Sequence, residues 1–109
     1  MSKIELTKEI REIADHYGIL AQMDQTKEEC AELIQAICKY KRALRDKDPK
    51  AVERAYSNIE EEIADVEIML AQIKYLFRIP ERQINGWKDF KIRRQIGRIK
   101  AGQEKTGND

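Results

Sequence analysis

Apolar residues recur three and four positions apart along almost the whole chain, and the strict alternation that would mark strands is nearly absent. The pattern predicts an all-α protein, an antiparallel helical bundle of about four to five helices. Ile10, Ile13, Ala14 and Tyr17 form the first stripe, with Thr7 as a candidate N-cap and Gly18 as a left-handed stop. A second helix is expected from about Thr26 to Arg45, carrying Leu33, Ile37, Tyr40 and Leu44 on one face. It closes in the charged run Arg45-Asp46-Lys47-Asp48. Asp48-Pro49 then reads as an N-cap followed by proline at the first helical position.

From there Val52, Ala55, Tyr56, Ile59, Ile63, Val66, Leu70, Ile73 and Phe77 continue one stripe towards Pro80. This third helix would be about 29 residues, on the order of 43 Å. Ser57 and Glu60 resemble a capping box, so a break near Ser57-Asn58 is open. After Pro80 the pattern predicts a short helical turn to Asn85, a turn at Asn85-Gly86 and a basic helix from Trp87 to Lys100. The chain reads as one helical domain over residues 1–100, with a disordered tail over 101–109.

Certain acids sit where the pattern calls for apolar residues. On the third helix Glu62 falls inside the stripe, among Ile59, Val66, Met69 and Ile73, and Asp65 falls at its edge beside Leu76, whereas Glu60 and Glu67 point away. On the second, Glu29 lies among Leu33, Ala36 and Tyr40, with Glu32 flanking it. Inward carboxylates on two antiparallel helices need a shared positive charge, because an unpaired buried carboxylate costs several kcal/mol. Four carboxylates three apart on neighbouring turns offer oxygen ligands to a hard cation, Mg²⁺ or also Mn²⁺. A di-iron centre is disfavoured, since the one histidine, His16, belongs to neither motif. The rival local readings are that Thr26 to Glu29 forms a capping box, which turns Glu29 back to the backbone, and that Glu60-Glu61-Glu62 is a solvated charge run.

Charge changes the picture only locally. Lys and Arg number 21 against 20 Asp and Glu, so net charge favours no nucleic-acid partner, yet Arg78 to Lys105 holds nine basic residues against three acids. Cys30 and Cys38 fit neither a zinc spacing nor a disulfide framework and are expected to be reduced core thiols. With no apolar leader in MSKIELTKEI and no long apolar run, the expectation is a cytoplasmic protein without membrane contact.

The segments Glu28-Glu29-Cys30-Ala31-Glu32-Leu33 and Glu61-Glu62-Ile63-Ala64-Asp65-Val66 resemble the EExxE and ExxD motifs of the MazG-like, all-α nucleoside triphosphate pyrophosphohydrolases. The resemblance extends over roughly residues 15 to 99, taking in Gly18, Gln22 and the trailing Lys91-x-x-Arg94-x-x-x-Arg98-Ile99. It implies Mg²⁺ ligands at Glu29, Glu32, Glu62 and Asp65, and hydrolysis of a nucleoside triphosphate between its α and β phosphates. Glu28 or Glu29 would orient the attacking water. Lys91, Arg94 and Arg98 are candidates to hold the polyphosphate, and Trp87 to stack on a base. The 29 residues between Glu32 and Glu62 stand at the long end of the family's spacing, and the added length is expected between Arg45 and Ser57.

A second apolar strip on the third helix, Ile68 and Tyr75, argues with the family pattern for a homodimer or homotetramer. Two other classes stay open: a non-catalytic helical interaction or regulatory module, and a nucleic-acid binder acting through the basic segment. The inward acids argue against the second. Within the enzyme class, a phosphoribosyl-ATP pyrophosphohydrolase and a dUTPase-like enzyme are both compatible with these residues.

Overall fold

The computed structural model describes residues 2–102, and among these the regular structure is all α-helical, with no strand. The four helices are α1 (Lys3–Tyr17), α2 (Ile19–Asp46), α3 (Pro49–Leu76) and α4 (Glu81–Lys100). Of the tail expected over 101–109, residues 101–102 form a turn and 103–109 lie outside the described residues.

Gly18 separates α1 from α2. Its φ of 88° is open to glycine and strained for L side chains, and its backbone N–H closes the last turn of α1 on Ala14 O at 2.9 Å. The next helix begins at once, so α2 starts seven residues before the expected Thr26. Thr26 does not cap: its hydroxyl donates to Gln22 O at 2.7 Å, inside the helix. Thr7 likewise lies within α1, donating to Lys3 O at 3.0 Å.

Lys47, left-handed at φ 56°, ends α2 with its N–H on Leu44 O. Asp48 starts α3 by accepting from Ala51 N at 3.2 Å, with Pro49 behind it, as the sequence indicates. The two long helices then run antiparallel, each of 28 residues. No break occurs at Ser57-Asn58, because an unbroken α3 keeps packing against α2 and that packing outweighs a local capping signal. The helix ends at Leu76, short of Pro80, where Arg78 takes φ 57°. After Pro80 a single helix replaces the expected turn and break at Asn85-Gly86. Gly86 is tolerated inside α4 at the usual cost of about 1 kcal/mol.

The chain divides into two compact units, Met1–Arg78 and Ile79–Asp109. In the first, α1 lies against the end of the α2/α3 hairpin where Tyr75 O–H donates to Asp15 at 2.7 Å and the Arg11 guanidinium sits 5.2 Å from the Tyr75 ring. Among the described residues the buried ones are few: Ala14, Ala36, Ala43 and Met69, with the amides Gln22 and Gln72. Small residues at Ala36 and Ala43 let the hairpin helices approach closely. In the second unit, α4 has no buried residue; Arg94 lies over the Phe90 ring and Trp87 meets Phe90 edge to face.

Tyr75 is thus occupied by α1, while Ile68 stays 42% exposed, so the pair does not form one uncovered strip. The cysteines are free, but only Cys30 is half-buried and Cys38 is exposed, which corrects the expectation of two core thiols. No described helix is long and apolar enough to cross a membrane.

Candidate metal centre

Glu29 and Glu32 stand on successive turns of α2, and Glu62 and Asp65 on successive turns of α3. Antiparallel packing brings the pairs opposite each other. One carboxylate oxygen from each of Glu29, Glu32 and Glu62 lies within 4.8 Å of the others. Ligand oxygens around one ion at about 2.1 Å would stand about 3–4 Å apart, so only a small contraction separates this arrangement from coordination geometry. Asp65 is half-buried one turn beyond Glu62; it lies outside that closest group, yet its charge acts on both Glu32 and Glu62.

The early start of α2 decides the role of Glu29. Because the helix is already formed at Thr26, Glu29 has no free N-terminal amide to cap, which removes the capping-box alternative. Its Oε2 instead accepts from Gln25 Nε2 at 2.8 Å, while Oε1 is buried without a hydrogen-bond partner. Glu62 Oε1 is orphaned in the same way. Buried acceptors are nearly always satisfied, so two unpaired oxygens in one cluster call for an explanation.

Electrostatics points the same way. The charge of Glu29, then desolvation and a hydrogen bond that the protonated Glu32 donates to the same neighbour, hold the Glu32 carboxyl above its ordinary value. Glu62 is raised first by desolvation and then by the charges of Glu32, Asp65 and Glu29. The charges that act most strongly on these two are all carboxylates. Such a cluster either takes up protons or takes up a cation. The hard oxygen donors, the missing counter-charge and the two orphaned atoms fit a divalent ion such as Mg²⁺ or Mn²⁺.

Glu28 is exposed beside the cluster, and Glu60, Glu61 and Glu67 are exposed, consistent with a solvated outer face. Lys91, Arg94, Arg98 and Trp87 all lie exposed on α4, in the second unit. Sequence reasoning missed Gln25, although its position four before Glu29 on one helix face was visible.

Compared with known proteins, the chain matches no family model, no curated protein and no solved structure.

Proposed function

We propose that this protein is a Mg²⁺-dependent nucleoside triphosphate pyrophosphohydrolase of the MazG-like kind. The observation that carries the reading is the pair of buried, unpartnered oxygens, Glu29 Oε1 and Glu62 Oε1, in a carboxylate cluster without a counter-charge. Glu29, Glu32 and Glu62 would hold the ion, with Asp65 completing the set. When bound, the ion would supply neutralisation of phosphate charge and Lewis-acid polarisation of the phosphate oxygens.

The protein's own side chains do the rest. Gln25 fixes the Glu29 carboxylate through Oε2, which leaves Oε1 for the ion, and the neighbouring Glu28, outside the ligand set, would orient a water molecule and accept its proton. That water's oxygen bonds to the α phosphorus. The bond from this phosphorus to the α,β-bridging oxygen breaks, its electron pair leaves with pyrophosphate, and the monophosphate remains. Glu28 is exposed at the edge of the cluster, where it can reach such a water and add to the negative field.

The active form is a homodimer or a homotetramer. Ile37, Leu44, Tyr56, Ile63 and Leu70 are 42–55% exposed on the hairpin, and three buried apolar residues, Ala36, Ala43 and Met69, make a small core for two 28-residue helices. The same exposed face would suit a non-catalytic interaction module, but that reading gives no account of the inward carboxylates.

Titration calorimetry with Mn²⁺ tests the site. One saturable binding process that Glu62→Gln removes is expected; wild-type protein that binds no Mn²⁺ would contradict it.

A further inference from the structure

In an antiparallel helix pair, positions equally offset from the contact line lie on the same side of the pair. Buried Ala36, Ala43 and Met69 mark that line in the α2/α3 hairpin. Lys39 follows Glu32 by seven residues on α2, and Asn58 precedes Asp65 by seven on α3. Both therefore face the side of the acid cluster, two helical turns or about 10 Å nearer the hairpin turn. Asn58 is only one turn from Glu62. Helical side chains lean towards their own N-terminus, which carries Lys39 back towards Glu32.

At this place an open groove of about 460 Å³ begins, lined by Lys39 and Asn58 and continued by Arg42 and Arg54 over a floor of alanines. None of the three cations makes an ion pair among the described residues. The one acid on the rim, Asp46, is held by Arg45 at 3.7 Å. The hairpin thus presents, along one face, a cluster of carboxylates without counter-charge followed by a cluster of cations without counter-charge. Three exposed cations side by side make a positive patch, and a polyanion that is itself bridged to a cation at the acids would neutralise both clusters at once.

We propose that this groove is the subsite for the substrate's terminal phosphates, which leave as pyrophosphate, so that the polyphosphate points towards the hairpin turn and the nucleoside lies on the α1 side. This rests on the reading of the acid cluster as the metal site. The guanidinium groups of Arg42 and Arg54 match phosphate oxygens bidentately, Lys39 adds a point charge next to the metal, and Asn58 offers an amide donor. The subsite gives the enzyme a reason to prefer triphosphates to diphosphates.

The test is calorimetric titration of the full chain with inorganic pyrophosphate at saturating Mn²⁺, comparing wild type with the combined Lys39→Gln, Arg42→Gln, Arg54→Gln variant and with Lys39→Gln alone. All three side chains are exposed and helical, and glutamine keeps the helix. The expected result is a loss of pyrophosphate affinity on the order of a hundred-fold in the triple variant and roughly ten-fold for Lys39→Gln, with Mn²⁺ affinity and nucleoside monophosphate affinity unchanged. Unchanged pyrophosphate affinity with intact Mn²⁺ binding overturns the subsite alone, as does an equal loss for monophosphate and pyrophosphate. A wild type that binds no Mn²⁺ overturns the metal reading and this subsite with it.

Discussion

Gln22 Nε2 donates to Gln72 Oε1 across 2.7 Å, joining α2 to α3 through two amides that are 6% and 1% exposed. Gln72 Nε2 in turn points at Met69 Sδ, a weak acceptor at 3.6 Å. A buried polar pair in so small a core fixes the register of the hairpin, and register is what sets Glu29 opposite Glu62. Gln72→Ala leaves the Gln22 amide unpaired and opens a cavity, so chemical denaturation is expected to show a loss of about 2–4 kcal/mol. Replacing both glutamines with leucine removes both polar groups together and is expected to fall within about 1 kcal/mol of wild type.

The pH dependence of stability follows from the raised Glu32 and Glu62 carboxyls. Since the folded chain holds these protons more tightly than the unfolded one, their contribution is full below the ordinary carboxyl value of 4.5 and is lost as pH rises through the raised values. In EDTA, wild type should therefore lose stability relative to Glu62→Gln as the pH climbs from that value towards neutrality. Excess Mg²⁺ should reverse the order at neutral pH. Thermal melts of both proteins across pH, with and without Mg²⁺, check the sign.

The long antiparallel hairpin, its Asp48-Pro49 start and the inward placement of Glu29 and Glu62 were legible in the sequence, because each rests on a strong periodic or capping signal. The errors came where a short motif mimicked a boundary. Thr26 to Glu29 and Ser57 to Glu60 both look like capping boxes, yet each lies within a longer helix whose packing overrides it. Gly86 looked like a turn because glycine signals are local, and one glycine is affordable inside a 20-residue helix. The Gln22–Gln72 pair and the run of Lys39, Arg42 and Arg54 beside Asn58 were not legible, since both depend on the register between two helices.

Tyr75 ties α3 to α1 through Asp15, and that hydrogen bond, with desolvation and the Asp15 charge, raises its phenol above the ordinary tyrosine value. Tyr75→Phe is expected to cost under about 1 kcal/mol, because the bond is open to water. In ultraviolet-monitored titration one tyrosine should ionise above the others, and Asp15→Asn should bring it back towards them.

Self-association should depend on the exposed apolar side of the hairpin. Leu44→Glu combined with Ile63→Glu places charges at two positions that are 50% and 42% exposed in the single chain. Sedimentation should show the wild type as a dimer or tetramer and the double variant as a monomer, with helical content retained. A monomeric wild type would remove the oligomer from the account.

The central claim is that the cluster of Glu29, Glu32, Glu62 and Asp65 supports metal-dependent cleavage between the α and β phosphates. The most direct measurement is to incubate the purified chain with the canonical and several non-canonical nucleoside triphosphates and deoxynucleoside triphosphates, with and without Mg²⁺, and to quantify monophosphate and pyrophosphate. Equimolar monophosphate and pyrophosphate are expected from at least one nucleotide, only with metal, with a loss of about a thousand-fold or more in Glu62→Gln. Absence of product from every nucleotide in Mg²⁺ and in Mn²⁺, or release that persists in Glu62→Gln, would contradict it.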